Sequence, residues 1–369
     1  MKYSLSLGGI TRLTAKVSAV VLTIGLVACG GGGDTGTDGT GSTGEGGQAN
    51  LVGAGASFPA PLYQRWFQEF STSNTNIQVD YQSVGSGAGV ERFIQELVDF
   101  GASDVAMTDD EIGQVNRGVL MLPLTAGSIV LAYNLPDVPN LKLSRQAYTG
   151  IFLGNITRWN DPLIAQANPD VNLPDEQITV VHRSDGSGTT GVFTKHLSDI
   201  SPEWKEKVGE GKTVSWPTGI GGAKNDGVTA QIRQSQGAIG YIEYGYAKTA
   251  SDVNMAALEN SSGNFIEPNI ESAKSTLQAV ELPENLRAFI SDPEGENSYP
   301  IVTYTWLLTY KEYPDSNTSQ ALEKMIEYAL NEGQAISPEL GYIALPDNVR
   351  QKVAETADVL NPDYNITIK

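Results

Sequence analysis

The chain has 369 residues, room for about two domains at ~150 residues each. Its 43 acidic and 24 basic residues give a net charge of −19, which argues against a nucleic-acid binder, whose footprint is basic. One cysteine, Cys29, and two histidines, His182 and His196, exclude an intrachain disulfide and a cysteine-cluster metal site and leave little for a His-rich metal centre.

The first 28 residues read as an export signal. Lys2, Arg12 and Lys16 form a basic start, and Val17 to Val27 is an apolar run too short to span a membrane. Leu26-Val27-Ala28-Cys29 resembles the lipobox of bacterial lipoproteins, which makes Cys29 the expected lipidated N-terminus after cleavage. Cleavage there leaves 21 basic against 43 acidic residues, a net charge of −22. Residues 30–47 contain ten glycines in eighteen positions and no large apolar residue, so 29–49 reads as the lipidated cysteine and a flexible tether. Asp34, Asp38, Gly39 and Glu45 fall on a calcium-loop spacing, but Gly36 stands where a ligand is needed and no helix flanks the loop; a solvated linker is the better account.

From Leu51 onward, strand-like and helix-like segments alternate. Ile77 to Tyr81 alternates apolar and polar residues as a half-buried strand does. Val90, Phe93, Ile94, Leu97 and Val98 follow helical spacing, which predicts a helix from Val90 to Phe100. Ser128–Tyr133 and Ile178–His182 are β-rich, and Ala321–Leu330 and Asp347–Ala357 read as helices. The alternation predicts an α/β architecture with mostly parallel, buried strands. There is no internal repeat and no second apolar stretch of membrane-spanning length.

Three places share one local design of strand, Gly/Ser turn and helix. They are Gly53-Ala54-Gly55-Ala56-Ser57, Gly85-Ser86-Gly87-Ala88-Gly89, and Arg183-Ser184-Asp185-Gly186-Ser187-Gly188-Thr189-Thr190. The first N–H groups of a helix lack internal partners, and the helix dipole makes that end electropositive. Such a turn is a ready anion site, although any single one is ordinary capping chemistry. Three in one exported chain, one beside an arginine, point to convergence on one anion.

Familiar catalytic motifs fail on inspection. Gly186 to Gly191 has P-loop spacing, but Val192-Phe193 replaces Lys-Ser/Thr. Phe58 stands where a dinucleotide fingerprint needs its third glycine, and neither Ser86 nor Ser187 sits in a nucleophile elbow. His182 precedes Arg183 in a strand, so the two side chains point to opposite faces, and His182 reads as structural if Arg183 faces the anion.

The segments GAGASFPAPLY, SVGSGAGV, VDFGASD, YTGIFLGNITRWND, VVHRSDGSGTTGVF, WPTGIGGAKNDGV and GAIGYIEY occur in the order of the PstS family, which the chain resembles over nearly all of residues 50–350. The family comprises the phosphate-binding proteins of bacterial phosphate ABC transporters. The resemblance implies an α/β, two-domain periplasmic-binding-protein (Venus-flytrap) fold with a hinge of two chain crossings. On that pattern, residues 50–124 with 302–369 form domain I and residues 125–301 form domain II.

The resemblance also implies a phosphate site. Ser57 would give a hydroxyl and an N–H, and Phe58 an N–H. Ser86 would give a hydroxyl and an N–H, Asp104 a carboxylate, and Arg183 the guanidinium. Ser187, Gly188 and Thr189 would give hydroxyls and helix-start N–H groups, while Asp185 orients Arg183 by an ion pair. Two positions depart from the common pattern. Ser57 stands where the family often has Thr, and Gly87-Ala88 replaces a frequent Ser-Gly, which removes a hydroxyl.

The chemistry is coherent in its own terms. Phosphate near neutral pH carries a proton that sulfate lacks, and an ionised Asp104 would accept it in a charge-assisted hydrogen bond. Sulfate would meet only carboxylate repulsion. The expected function is therefore a lipid-anchored receptor outside the cytoplasm, facing the periplasm or the outer surface. On the resemblance, it would capture phosphate and hand it to the permease subunits of a phosphate ABC transporter. It is expected to be a monomer, to use no metal and no cofactor, to bind no nucleic acid and to catalyse nothing. An exported phosphatase and a binder of another oxyanion, such as sulfate or molybdate, are the alternatives.

Overall fold

The computed structural model describes residues 48–278 and 280–369. Cys29 and residues 30–47 of the expected tether lie outside the described residues, and Ala49, expected as the tether's last residue, instead begins the first strand.

The chain starts as strand–helix units. Strand β1 (Ala49–Gly55) leads into helix α1 (Ala60–Ser73), and β2 (Ile77–Ser83) leads into α2 (Ser86–Ile94), followed by β3 (Phe100–Ser103). The long β4 (Val119–Tyr133) comes next. Later units are β5 (Thr179–Arg183) with α3 (Gly188–Ile200) and β6 (Ile220–Gly222) with α4 (Lys224–Gln234). Then come β7 (Ala238–Glu243), β8 (Val302–Tyr310) and the C-terminal helices α5 (Ser316–Leu330) and α6 (Asp347–Ala357).

These strands form one sheet in the order β2-β1-β3-β8-β4-β7-β5-β6, with the short strand Asn254–Met255 also paired to β4. β1 pairs in parallel with β2 and β3, and β5 in parallel with β6 and β7. The expectation of a mostly parallel sheet needs correction at its centre. β8 is antiparallel to both β3 and β4, and β4 is antiparallel to β7. The reason is topological: β4 carries the chain from one half to the other and β8 brings it back, so adjacent crossing strands must run in opposite directions.

β4 changes partner between Ser128, paired with Val302, and Ile129, paired with Glu243. At that point the Ile129 N–H donates to the Ile301 carbonyl at 2.9 Å, so the outgoing and returning crossings are tied side by side. Pro123 interrupts the ladder inside β4; the register shift opposite it, between Thr305 and Trp306, is the bulge that a residue without an N–H favours.

Two local expectations also change. α2 begins at Ser86 rather than Val90 and ends at Ile94, because Glu96 takes a left-handed φ of +57° that reverses the chain. Leu97 then faces solvent, and Phe100 begins β3 instead of ending a helix. Gly53 and Gly55 are strand residues, not a turn. A Cβ on Gly55 would lie 2.1 Å from the Ala102 carbonyl oxygen, so glycine there serves the close approach of β1 to β3. The turn itself is Ala56 to Pro59.

Among the described residues no helix is long and apolar enough to cross a membrane.

Candidate functional site

Every singled-out side chain sits at the C-terminal end of a parallel strand, where open α/β sheets place their ligands. Ser57 and Phe58 follow β1, Ser86 follows β2, Asp104 follows β3 and Arg183 closes β5. Ser57, Phe58, Ser86, Asp104, Arg183, Ser187 and Thr189 are all buried. The β1–β3 half and the β5–β7 half meet here. The Gly87 N–H donates to the Gly186 carbonyl at 2.8 Å, and the Tyr246 hydroxyl donates to the Ser57 carbonyl at 2.7 Å.

The helix starts leave donors unspent. Among the described residues, the N–H groups of Phe58, Ser86, Gly188 and Thr189 have no protein acceptor. The Ser187 N–H does have one, the Lys212 carbonyl at 2.8 Å, so of that residue only the hydroxyl proton is free. Its oxygen caps α3 by accepting from the Thr190 N–H at 3.0 Å. Gly188 faces the opposite wall directly. A Cβ there would lie 2.5 Å from Ser86 Oγ and 2.7 Å from Asp104 Oδ2, so any side chain would fill the space between them.

Arg183 is held by its neighbours. Its Nε donates to Asp185 Oδ1 at 2.8 Å, its Nη2 to Asp185 Oδ2 at 2.6 Å and its Nη1 to Thr189 Oγ1 at 3.2 Å. Three of the five guanidinium N–H bonds are thereby used and two remain. Asp185 also accepts the Lys224 N–H at 2.9 Å. Burial opposes its charge, but Arg183 and that N–H hold the carboxyl below its ordinary range.

Among the described residues, Asp104 is the buried carboxylate that faces these donors. The Thr305 hydroxyl donates to its Oδ1 at 2.9 Å, and its own N–H lies 3.3 Å from Ser86 Oγ. Burial raises its pKa to about 7, with the Thr305 hydroxyl, the Arg183 charge and the Ser86 and Thr189 hydroxyls pulling the other way.

Sequence reasoning missed two residues of this cluster. Thr305 enters from β8, far along the chain, and no local signal marks it. Asn225, the second residue of α4, is fully buried and lies 3.0 Å through Nδ2 and 3.1 Å through its N–H from Ser57 Oγ. The run Gly221-Gly222-Ala223-Lys224-Asn225 is a fourth strand, glycine turn and helix start, and that repetition was the available clue. Both histidines are committed elsewhere. His182 stacks on Trp216 with ring centroids 4.9 Å apart, and buried His196 lies 2.8 Å from the Tyr148 hydroxyl with its pKa lowered by burial to about 3.

A family model described as a PBP superfamily domain matches residues 40–332. The phosphate-binding protein PstS of Pasteurella multocida is 41% identical over 307 residues, covering 82% of this chain and 88% of that one. The chain belongs to the PstS family within the PBP superfamily. A PstS from Methanocaldococcus jannaschii is 35% identical and spans 92% of this chain and 93% of its own. The fold recurs in a high affinity periplasmic phosphate-binding protein solved with phosphate, at TM-score 0.68 and 20% identity, covering 83% of this chain and 93% of that one. The two-domain binding-protein fold and its double crossing through β4 and β8 are those of this superfamily.

Proposed function

We propose that this PstS-family chain is a receptor outside the cytoplasm that closes on inorganic phosphate and delivers it to a membrane ABC permease. Residues 50–124 with 302–369 form one wall of the cleft and residues 125–301 the other. The bound anion takes donors from Ser57, Phe58 and Ser86 on the first wall and from Arg183, Ser187, Gly188 and Thr189 on the second. Asp104 accepts the ligand's proton.

The observation that carries this reading is the composition of the buried cluster: free N–H groups, hydroxyls and one guanidinium around a single carboxylate. That set suits a tetrahedral anion that still owns a proton. It is supported by relatives named as phosphate-binding proteins. A Clostridium perfringens protein titled a putative phosphate ABC transporter substrate-binding protein with bound phosphate has the same fold, at TM-score 0.60 and 17% identity, covering 80% of this chain and all of that one.

Binding rather than turnover is favoured because a phosphatase needs a nucleophile with its base or a metal centre. Among the described residues no three His, Cys, Asp or Glu side chains group as metal ligands, and both histidines point to other partners. Export and lipidation at Cys29 complete the proposal, resting on the N-terminal signal and its lone cysteine.

Calorimetric titration of the mature protein with phosphate, arsenate and sulfate tests it. Phosphate and arsenate should bind and sulfate should not. Sulfate binding of equal strength favours a general oxyanion receptor, and turnover of a phosphate monoester favours the phosphatase.

A further inference from the structure

The geometry points to Asn225 as the residue that forces the hydroxyls of Ser57 and Thr189 to act as donors toward the bound anion. This rests on the phosphate reading above and adds a residue to it.

The Glu243 backbone N–H, which can only donate, lies 3.0 Å from Asn225 Oδ1. The oxygen end of the Asn225 amide is thereby fixed toward β7, and Nδ2 must face the cleft. Nδ2 lies 3.0 Å from Ser57 Oγ and 3.5 Å from Thr189 Oγ1. The Asn225 backbone N–H, another obligate donor, lies 3.1 Å from the same Ser57 oxygen.

A hydroxyl accepts two hydrogen bonds and donates one. Ser57 Oγ therefore has both lone pairs occupied by Asn225. Its proton is then left to donate elsewhere, and on the phosphate reading its acceptor is the bound anion. Thr189 Oγ1 likewise accepts from Arg183 Nη1 at 3.2 Å and from Asn225 Nδ2 at 3.5 Å, so its proton is turned to the Asp104 side of the cluster, where the anion is proposed to sit. Without these obligate donors, each hydroxyl could turn its lone pairs toward the anion and lose the contact, or rotate freely and pay for ordering on binding. Asn225 comes from the opposite half to Ser57, so this setting is completed only when the two halves are together.

A double-mutant cycle read by phosphate calorimetry tests the assignment. Asn225→Ala should weaken phosphate by about 10- to 100-fold, the loss expected when charge-assisted hydrogen bonds are misdirected. In a Ser57→Ala/Thr189→Ala background, the same change should cost less than about threefold, because the hydroxyls it orients are gone. Asn225→Asp, nearly isosteric, keeps the protein testable if the alanine variant does not fold. Its carboxylate would accept from the hydroxyls, and phosphate should weaken at least as much as with alanine. Equal losses in both backgrounds, or unchanged affinity in Asn225→Asp, would overturn the assignment while leaving the phosphate site intact. A wild-type protein that binds no phosphate would overturn the site reading, and this one with it.

Discussion

Arg183 and Asp185 pair side-on, with Nε and Nη2 at 2.8 and 2.6 Å from the two carboxylate oxygens. The arginine side chain is almost fully buried, while one fifth of the aspartate's remains exposed. The pair thus keeps a cation in a dry site and fixes its plane, leaving two N–H bonds that, on the proposed reading, meet the anion. Arg183→Ala should reduce phosphate affinity by at least about 100-fold, since two charged hydrogen bonds are lost. Asp185→Ala should cost less, because the guanidinium survives although its plane is no longer fixed. Calorimetry on the two variants checks the order, and an Arg183→Ala protein of normal affinity would place the site elsewhere.

Asp104 gives a second prediction, through its pKa of about 7. A carboxyl raised in this way is protonated below that pH and ionised above it. Ionised, it repels sulfate; protonated, it can donate to sulfate. Sulfate binding should therefore be absent at pH 8.5 and emerge as the pH falls through about 7. Asp104→Asn should admit sulfate at both pH values. A flat sulfate affinity between pH 5.5 and 8.5 in the wild type would remove the carboxylate from the selectivity argument.

Glu243 caps the helix after β7, accepting the Gly245 N–H at 2.7 Å. It is fully buried, and burial raises its pKa to about 8, with that N–H and the Tyr342 hydroxyl opposing. The folded protein holds a proton there that the unfolded chain releases above about 4.3. The contribution to stability is thus full below that value and is lost as the pH rises through about 8. Glu243→Gln keeps the accepting oxygen and cannot ionise. It should melt near the wild type at pH 4.5 and several degrees higher at pH 8.5, by scanning calorimetry. Equal melting temperatures at pH 8.5 would show that burying this carboxyl costs little.

How much could be read from the residues alone follows from how locally each feature is encoded. The donors of Ser57, Ser86 and Ser187 to Thr189 lie in contiguous turns after strands, so a scan of short segments finds them. Thr305 could not be found that way. It reaches Asp104 only because β8 lies between β3 and β4, which is a fact of topology. Spacing alone overruns the end of α2, because the apolar pattern continues to Val98 while the backbone has already turned at Glu96. Gly53 and Gly55 mimic an anion-binding turn but answer to the packing of β1 on β3.

The tether gives a prediction independent of the site. A single cysteine behind a lipobox, followed by a glycine-rich segment, should hold the protein at a membrane without touching phosphate. Cys29→Ser should move it to the soluble fraction with unchanged affinity. Retention of the variant in membranes would mean that another element anchors it.

The last prediction joins the site to motion. Ser57, Ser86 and Asp104 stand on the β1–β3 half, and Arg183, Ser187 and Thr189 on the β5–β7 half; the halves are linked by β4 and β8. An anion bridging the two sets gains all its donors only when the walls meet, so it binds the closed arrangement better and shifts the population toward it. A permease that recognises the closed surface then recognises a loaded receptor. In solution scattering at pH 8, phosphate should reduce the radius of gyration and the same concentration of sulfate should not. Arg183→Ala should lose the response, because its wall no longer supplies the charged donors. An equal response to sulfate would contradict the selectivity assigned to Asp104, and no response to phosphate in a protein that binds it would contradict closure between the two walls.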